Sequence, residues 1–339
     1  MKYNPTFKSF IGIPGGSETQ KCFYPLKVDT YGRGCSSDCV YCYAKSTMAW
    51  RKMWDSYNPA TSDFDDINKL FVDSFSGKKK GKIADLIRMK YPVRLGGMTD
   101  CFALAEKKSK VSLKLLKLLK EYQYPYLILT KNNIIAEKEY MDALQPELAY
   151  IQFSITTPYD EQSRIYESGA SSTSERLEAA KLLSNNGFTV AGRICPLFPI
   201  YPDGYYSLGI HQDTEPLKYF DWSLVDLLAD AKCKTVIAGF LRLNYYNNNR
   251  QRIIKEIGFD LDYLFSPDIR KKNDALYFSI EEKRYYYEKL MRLSHERGMR
   301  FTVCYDGDES YDVFRYLWEN QQDCCDAPFK RPIELWTIV

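Results

Sequence analysis

The sequence predicts an α/β fold, a partial (β/α)6-type TIM barrel with a C-terminal extension. Three observations carry that reading. From about residue 24, short β-like runs alternate with longer helical patterns, as a parallel sheet with helical crossovers requires. No glycine-rich turn follows the first run, which removes the dinucleotide fingerprint of a doubly wound sheet. Residues of chemical character also collect at successive strand ends, the rim where a barrel carries its active site. These are Cys35, Cys39 and Cys42 after the first strand, Thr99 and Asp100 after the second, and Lys131 after the third.

The elements follow in order. YPLKVDTY (24–31) reads as the first strand, and YPVRLGGMTD (91–100) as the second, ending in a glycine turn. VSLKLLKLLKEY (111–122) repeats Leu at helical spacing with lysines opposite, an amphipathic helix. PYLILTK (125–131), AYIQFSITT (149–157) and FTVAGRICP (188–196) are the third to fifth strands. SERLEAAKLLSNNG (174–187) is a helix closed by Asn-Asn-Gly. KTVIAGF (234–240) is the sixth strand, and EEKRYYYEKLMRLSHERG (281–298) leads as a helix into RFTVCYD (300–306). Residues 50–90, with GKKKGK at 77–82, read as a solvated insertion. The expected organisation is an N-terminal extension over 1–23, a barrel over 24–240 and a C-terminal completion over 241–339, whose 241–280 stretch is polar and irregular.

Composition narrows the chemistry. The 47 basic and 44 acidic residues nearly cancel, so bulk charge does not demand a polyanionic partner. No long uncharged apolar run suggests a membrane span, and MKYNPTFKSFIGIPGG lacks the apolar core of a secretory signal, so a cytoplasmic setting with reduced thiols is expected. Ten cysteines in 339 residues are too sparse for a disulfide scaffold, so their clustering reads as ligand or redox chemistry. Two histidines, His211 and His295, argue against a metal centre built on imidazoles. The 28 tyrosines suit half-buried strands and wet surfaces, or stacking faces for bases.

GCSSDCVYCYAKS sets Cys35, Cys39 and Cys42 at gaps of three and two residues, with Tyr41 and Tyr43 flanking the third. Structural zinc and fully protein-ligated iron–sulfur clusters both want four protein ligands. The nearest further thiol, Cys22, lies across a predicted strand, and no histidine is near. Three ligands on a cubane leave one iron open, as a catalytic metal requires. Zinc and three unligated thiols are the weaker readings.

The Cys-x3-Cys-x2-Cys loop after the first strand resembles the signature of the radical S-adenosylmethionine enzymes. GGMTDCFALAE (96–106), LILTKNN (127–133), IQFSITT (151–157), RIYESGASSTSERLEAAKLLSNNG (164–187) and GRICPLFP (192–199) are similar to successive motifs of the spore photoproduct lyase-like branch. The similarity covers about residues 24–205. It implies a 4Fe-4S cluster on Cys35, Cys39 and Cys42, its open iron chelated by S-adenosylmethionine, and a 5′-deoxyadenosyl radical that abstracts a substrate hydrogen. It further implies an electron donor such as flavodoxin or ferredoxin. Carried over by position, Gly97, Thr99, Asp100, Lys131, Ser154 and Arg193 are candidate cofactor contacts, with Lys131 on the carboxylate and Tyr43 nearest the adenosine. Arg193 has the alternative of pairing with Glu167. Tyr41 and Tyr43 either wall in the cluster or relay a radical.

The chain also departs from that branch. Where the lyase has a hydrogen-returning cysteine, this sequence has Gly97, and Cys101 follows the aspartate instead. Cys101 is therefore a candidate donor from a shifted position, or a buried structural thiol. Cys304, Cys324 and Cys325 are candidate ligands of a second Fe-S cluster, or packing residues. The substrate expected by analogy is a modified nucleobase, nucleotide or DNA. A peptide or small metabolite is the alternative, and a non-catalytic, metal-stabilised nucleic-acid-binding protein using Lys78 to Lys82 is the rival from another class.

Overall fold

The sheet is built from seven parallel strands: β1 (Lys27–Val28), β2 (Val93–Leu95), β3 (Tyr126–Thr130), β4 (Ala149–Ser154), β5 (Thr189–Leu197), β6 (Thr235–Phe240) and β7 (Arg300–Val303). They lie side by side in chain order, and Phe10–Ile11 pairs antiparallel with the outer edge of β1. An order that never reverses is that of a wound (β/α) barrel rather than a doubly wound sheet. Among the described residues β7 does not return to pair with β1, so the barrel stays open. This computed structural model describes residues 6–7, 10–11, 23–50, 54–198, 221–241, 243–244, 275–276, 278–304, 313–319 and 323–329. Cys22, His211 and most of the 241–280 stretch lie outside them.

The helices are α1 (Tyr43–Trp50), α2 (Phe64–Phe75), α3 (Lys82–Arg88), α4 (Ala105–Ser109), α5 (Val111–Glu121), α6 (Lys138–Ala143), α7 (Asp160–Tyr166), α8 (Thr173–Asn185), α9 (Ser223–Asp230) and α10 (Ile280–Glu296). The longest of them start for local reasons. Ser172 and Glu175 form a reciprocal capping box on α8, and the Ser279 hydroxyl accepts from Glu282 N at the start of α10. No helix among the described residues is long and apolar enough to cross a membrane.

Strand alternation divides the sheet into two cores. Ile128, Ile151, Phe153, Val190, Ile194, Val236 and Ala238 face outward and pack with helix residues such as Leu116, Leu183, Leu228 and Leu290. Their neighbours Leu127, Tyr150, Ala191 and Ile237 face inward, where Phe23, Tyr24, Trp318, Cys324, Cys325 and Ala327 fill the barrel.

Three expectations change. The strand at 300–306, assigned to the C-terminal completion, continues the partial barrel's sheet as β7, paired in parallel with β6. The first strand shrinks to two residues because Tyr31–Gly32 turns away to pair with Ala60–Ser62. The insertion at 50–90 carries two helices, α2 and α3, rather than loop alone. Asp63 caps α2, and Phe64, Ile67, Phe71 and Phe75 recur at helical spacing, with Phe75 stacked on Tyr122 at 4.7 Å. Residues 76–82, which carry the lysine run between the two helices, are exposed throughout.

Candidate active site

The rim is tied together before any ligand binds. Asp29, just past β1 and 1% exposed, accepts from the backbone N–H of Gly97 (2.7 Å), Met98 (3.0 Å) and Thr99 (3.1 Å). Burial pushes its carboxyl up, against the pull of those three N–H groups and Arg94. The Thr99 hydroxyl donates to the Tyr31 carbonyl. Asp100 accepts from Lys131 N (2.7 Å), Asn132 Nδ2 (2.8 Å), Thr130 Oγ1 (2.9 Å) and Phe102 N (2.9 Å), locking the turn after β2 to the end of β3. Thr99 and Asp100 thus spend their side chains on shaping the rim. Asp29 and Asn132 were missed by sequence reasoning, although Asp29 stands inside the predicted first strand.

The cysteine loop is held on its far side by the α7–α8 connection. Val40 N donates to the Tyr166 carbonyl at 2.9 Å, and Gly169 N to the Ser37 carbonyl at 3.2 Å. A Cβ on Gly169 would lie 1.7 Å from the Ser36 carbonyl oxygen, so only glycine permits this approach. Lys45 Nζ, one turn into α1, pairs with Asp38 at 2.8 Å, and its backbone N–H reaches Cys42 Sγ at 3.4 Å.

Cys35, Cys39 and Cys42 line one wall of a cavity of about 450 Å³ at the strand C-terminal ends. Its other walls include Tyr41, Tyr43, the Gly96–Asp100 turn, Lys131, Ser154, Arg193, Cys195 and Cys304. Burial raises all three loop thiols, Cys35 to about 11, so loading a metal there must expel protons. Among the described residues no three Cys, His, Asp or Glu side chains already surround one point where a metal would sit. The donor set nonetheless fits. Three thiols face a shared cavity, and the acids nearby, Asp38 and Asp100, are already engaged by Lys45 and by the end of β3.

Behind the cavity lies a buried charge network. Glu167 pairs with Arg176 and accepts from the Tyr41 hydroxyl, and Lys131 Nζ stands 3.3 Å from its Oε1. Burial alone would raise the Glu167 carboxyl, but Arg176 and Lys131 outweigh it and hold it low. Two cations around one carboxylate leave one positive charge in excess at the cavity wall. Lys131 also donates to Ser154 Oγ, which donates to the Cys195 carbonyl at 2.9 Å. An anionic ligand group placed there meets an ammonium and a hydroxyl together.

The remaining candidates divide. Tyr41 and Tyr43 both line the cavity, Tyr43 donating to the Gly97 carbonyl at 2.8 Å. Arg193 does not pair with Glu167; it donates to Gln152 Oε1 (3.1 Å) and Cys304 Sγ (2.7 Å), because its place on β5 points it into the barrel. Cys101 is fully buried against the outer core, bonded to the Val28 carbonyl, and is not among the cavity-lining residues. Cys195, never singled out in the sequence, takes a cavity position. Lys78 to Lys82 do not border the cavity.

The Radical SAM superfamily model matches residues 30–205, just over half of the chain. The chain belongs to the radical SAM superfamily. Membership makes it an enzyme, and the superfamily's chemistry implies a 4Fe-4S cluster and S-adenosylmethionine. No curated protein matches the sequence. Among solved structures it is similar to a spore photoproduct lyase variant with bound AdoMet and dinucleoside spore photoproduct, at 17% identity and TM-score 0.55, with 86% of each chain covered. A second spore photoproduct lyase variant gives 16%, 0.54 and coverage of 89% and 88%. Streptococcus suis SuiB bound to precursor peptide SuiA gives 13% and 0.51, covering 87% of this chain and 52% of that one. At these identities the likeness establishes a shared radical SAM fold.

Proposed function

We propose that this radical SAM enzyme holds its cluster on Cys35, Cys39 and Cys42 and binds S-adenosylmethionine in the adjoining cavity to remove a hydrogen atom from a nucleobase-containing substrate. The observation that carries the reading is the meeting of three thiols with Lys131 and Ser154 in one cavity. Bound together, cluster and S-adenosylmethionine supply a 5′-deoxyadenosyl radical. The chain's own residues do the rest. Lys131 and Ser154 receive the cosubstrate carboxylate, with Glu167 and Arg176 holding the ammonium in place. Asp29, Asp100 and Asn132 keep the rim rigid, so the turn that meets the amino group and ribose stays aimed. Tyr43, bridged to Gly97, covers the adenosine side, and Tyr41 walls the cluster.

The substrate class rests on similarity to lyase structures that hold a dinucleoside spore photoproduct. By the sequence resemblance Gly97 falls where that branch has its hydrogen-returning cysteine, so hydrogen return by that route is not carried over. Anaerobic reconstitution tests the reading: it should give about four irons per chain and 5′-deoxyadenosine on reduction. Cys39→Ala should abolish both. Turnover that survives Cys39→Ala, or a colourless protein with a single zinc, overturns the proposal. Deuterium carried from labelled oligonucleotides into 5′-deoxyadenosine tests the substrate class; transfer from peptides alone rejects it.

A further inference from the structure

Four cysteines from three distant stretches meet inside the barrel below the reaction cavity. Cys195, on β5, and Cys304, just past β7, both line the cavity and flank Gly239. A Cβ on Gly239 would lie 2.8 Å from Cys195 Sγ, so glycine makes room for that thiol. Cys304 packs against the buried cluster that holds Cys324 and Cys325, and the Cys304 and Cys324 thiols lie near enough to perturb one another. Cys324 and Cys325 are 3% and 6% exposed, packed among the inward residues of β3 to β6.

The segment carrying them is fastened on both sides. Tyr24 donates to Asp323 Oδ2 (3.1 Å), Tyr150 to the Cys325 carbonyl (2.9 Å) and Thr235 to Asp326 Oδ2 (2.8 Å). Cys324 is therefore presented to Cys304 by fixed backbone rather than by a loose tail. Arg193 Nη2 lies 2.7 Å from Cys304 Sγ. A guanidinium on that sulfur disfavours a metal cation at the same atom. That geometry argues against the second cluster expected from the sequence.

We propose that Cys304 and Cys324 form a redox-active dithiol that closes to a disulfide by exchange with a small disulfide entering the cavity. Cys304, at the cavity wall, attacks one sulfur of R–S–S–R; that bond breaks and one thiol RSH leaves. Cys324 then attacks the Cys304 sulfur of the mixed disulfide, giving up its proton to the departing second thiolate. Two protein thiols are oxidised by two electrons, and one small disulfide is reduced to two thiols. Closure also converts the sulfur that Arg193 meets at the cavity floor from a thiol to a disulfide. The proposal is independent of the substrate class above.

The test uses cluster-loaded protein equilibrated anaerobically with oxidised and reduced glutathione at graded ratios, quenched with N-ethylmaleimide and mapped by peptide mass spectrometry. The expected result is one crosslink joining Cys304 to Cys324, two hydrogens lighter, reversed by dithiothreitol with the cluster absorbance retained. Cys195→Ser keeps that crosslink; Cys324→Ser and Cys304→Ser each remove it, so one folded variant of the two suffices. Separate alkylation of both thiols at every ratio overturns the proposal, as does a crosslink joining a different pair. So does a reconstituted chain with about eight irons that falls to half on Cys324→Ser, which makes these cysteines cluster ligands.

Discussion

Lys131 illustrates how one residue serves the site through its neighbours. Its ammonium stands between Glu167 and Ser154 at the cavity wall, and Arg176 already neutralises Glu167. Removing the ammonium should therefore spare the buried pair while taking away the charge that meets a carboxylate. Lys131→Met is expected to weaken S-adenosylmethionine binding roughly ten- to hundred-fold, as loss of a charged hydrogen bond does. Equilibrium binding to the reconstituted enzyme measures it; unchanged affinity places the carboxylate elsewhere. Iron content should stay as in the parent, since Lys131 makes no bond to the loop cysteines. The position of Lys131 at a strand end was legible in the sequence. Its partner Glu167 was not, because 36 residues and a whole strand separate the two.

At the scale of elements, the cysteine loop depends on a connection it never touches in sequence. Gly169→Ala would press a methyl group into the Ser36 carbonyl, so one of the two backbones must shift. The expected outcome is iron retention below half of the parent level after reconstitution, with the rest of the barrel still folded by circular dichroism. Full iron retention would mean the loop tolerates a wider gap.

Helix α10 offers a pH test. Burial lifts Glu282, near its N-terminus, from 4.5 to about 8, only partly opposed by Lys283. A carboxyl raised on folding contributes stability that is full below 4.5 and lost as pH climbs through about 8. Glu282→Gln should remove that slope: equal thermal stability at acid pH and a higher Tm than the parent above pH 8. Parallel melting curves for both proteins across this range would count against a buried, protonated Glu282.

The whole molecule depends on a barrel filled from its C-terminal end. Trp318, 2% exposed, meets Phe23 edge-on at 5.4 Å and donates from Nε1 to the Val303 carbonyl at 3.1 Å. It thereby joins the residues before β1 to the strand that ends the sheet, a join an open barrel cannot make through its own hydrogen bonds. Trp318→Ala should cost about 3–5 kcal/mol, as loss of a buried aromatic does. Denaturant unfolding reads the loss. A cost near zero would show that the interior residues do not brace the two sheet edges.

The order of elements and the cofactor loop were set down by local sequence. Helical and strand periodicity depend on neighbours a few residues away, and Cys35, Cys39 and Cys42 need only their own spacing to be recognised. Chain-order winding then brings successive strand ends to one rim, which is why the pattern of strands alone places Asp100, Lys131 and Ser154 there. What lies across the sheet could not be read this way. Asp29 on the Gly97–Thr99 turn, Arg193 on Cys304, and Cys304 beside Cys324 join positions 20 to 111 residues apart. Alternation along a strand tells that two faces differ, but not which one a distant segment will cover. Only the closure of the chain around the barrel decided that Cys101 faces the outer core while Cys195, Cys304 and Cys324 face inward, because burial on either face satisfies a thiol equally well until its neighbours are in place.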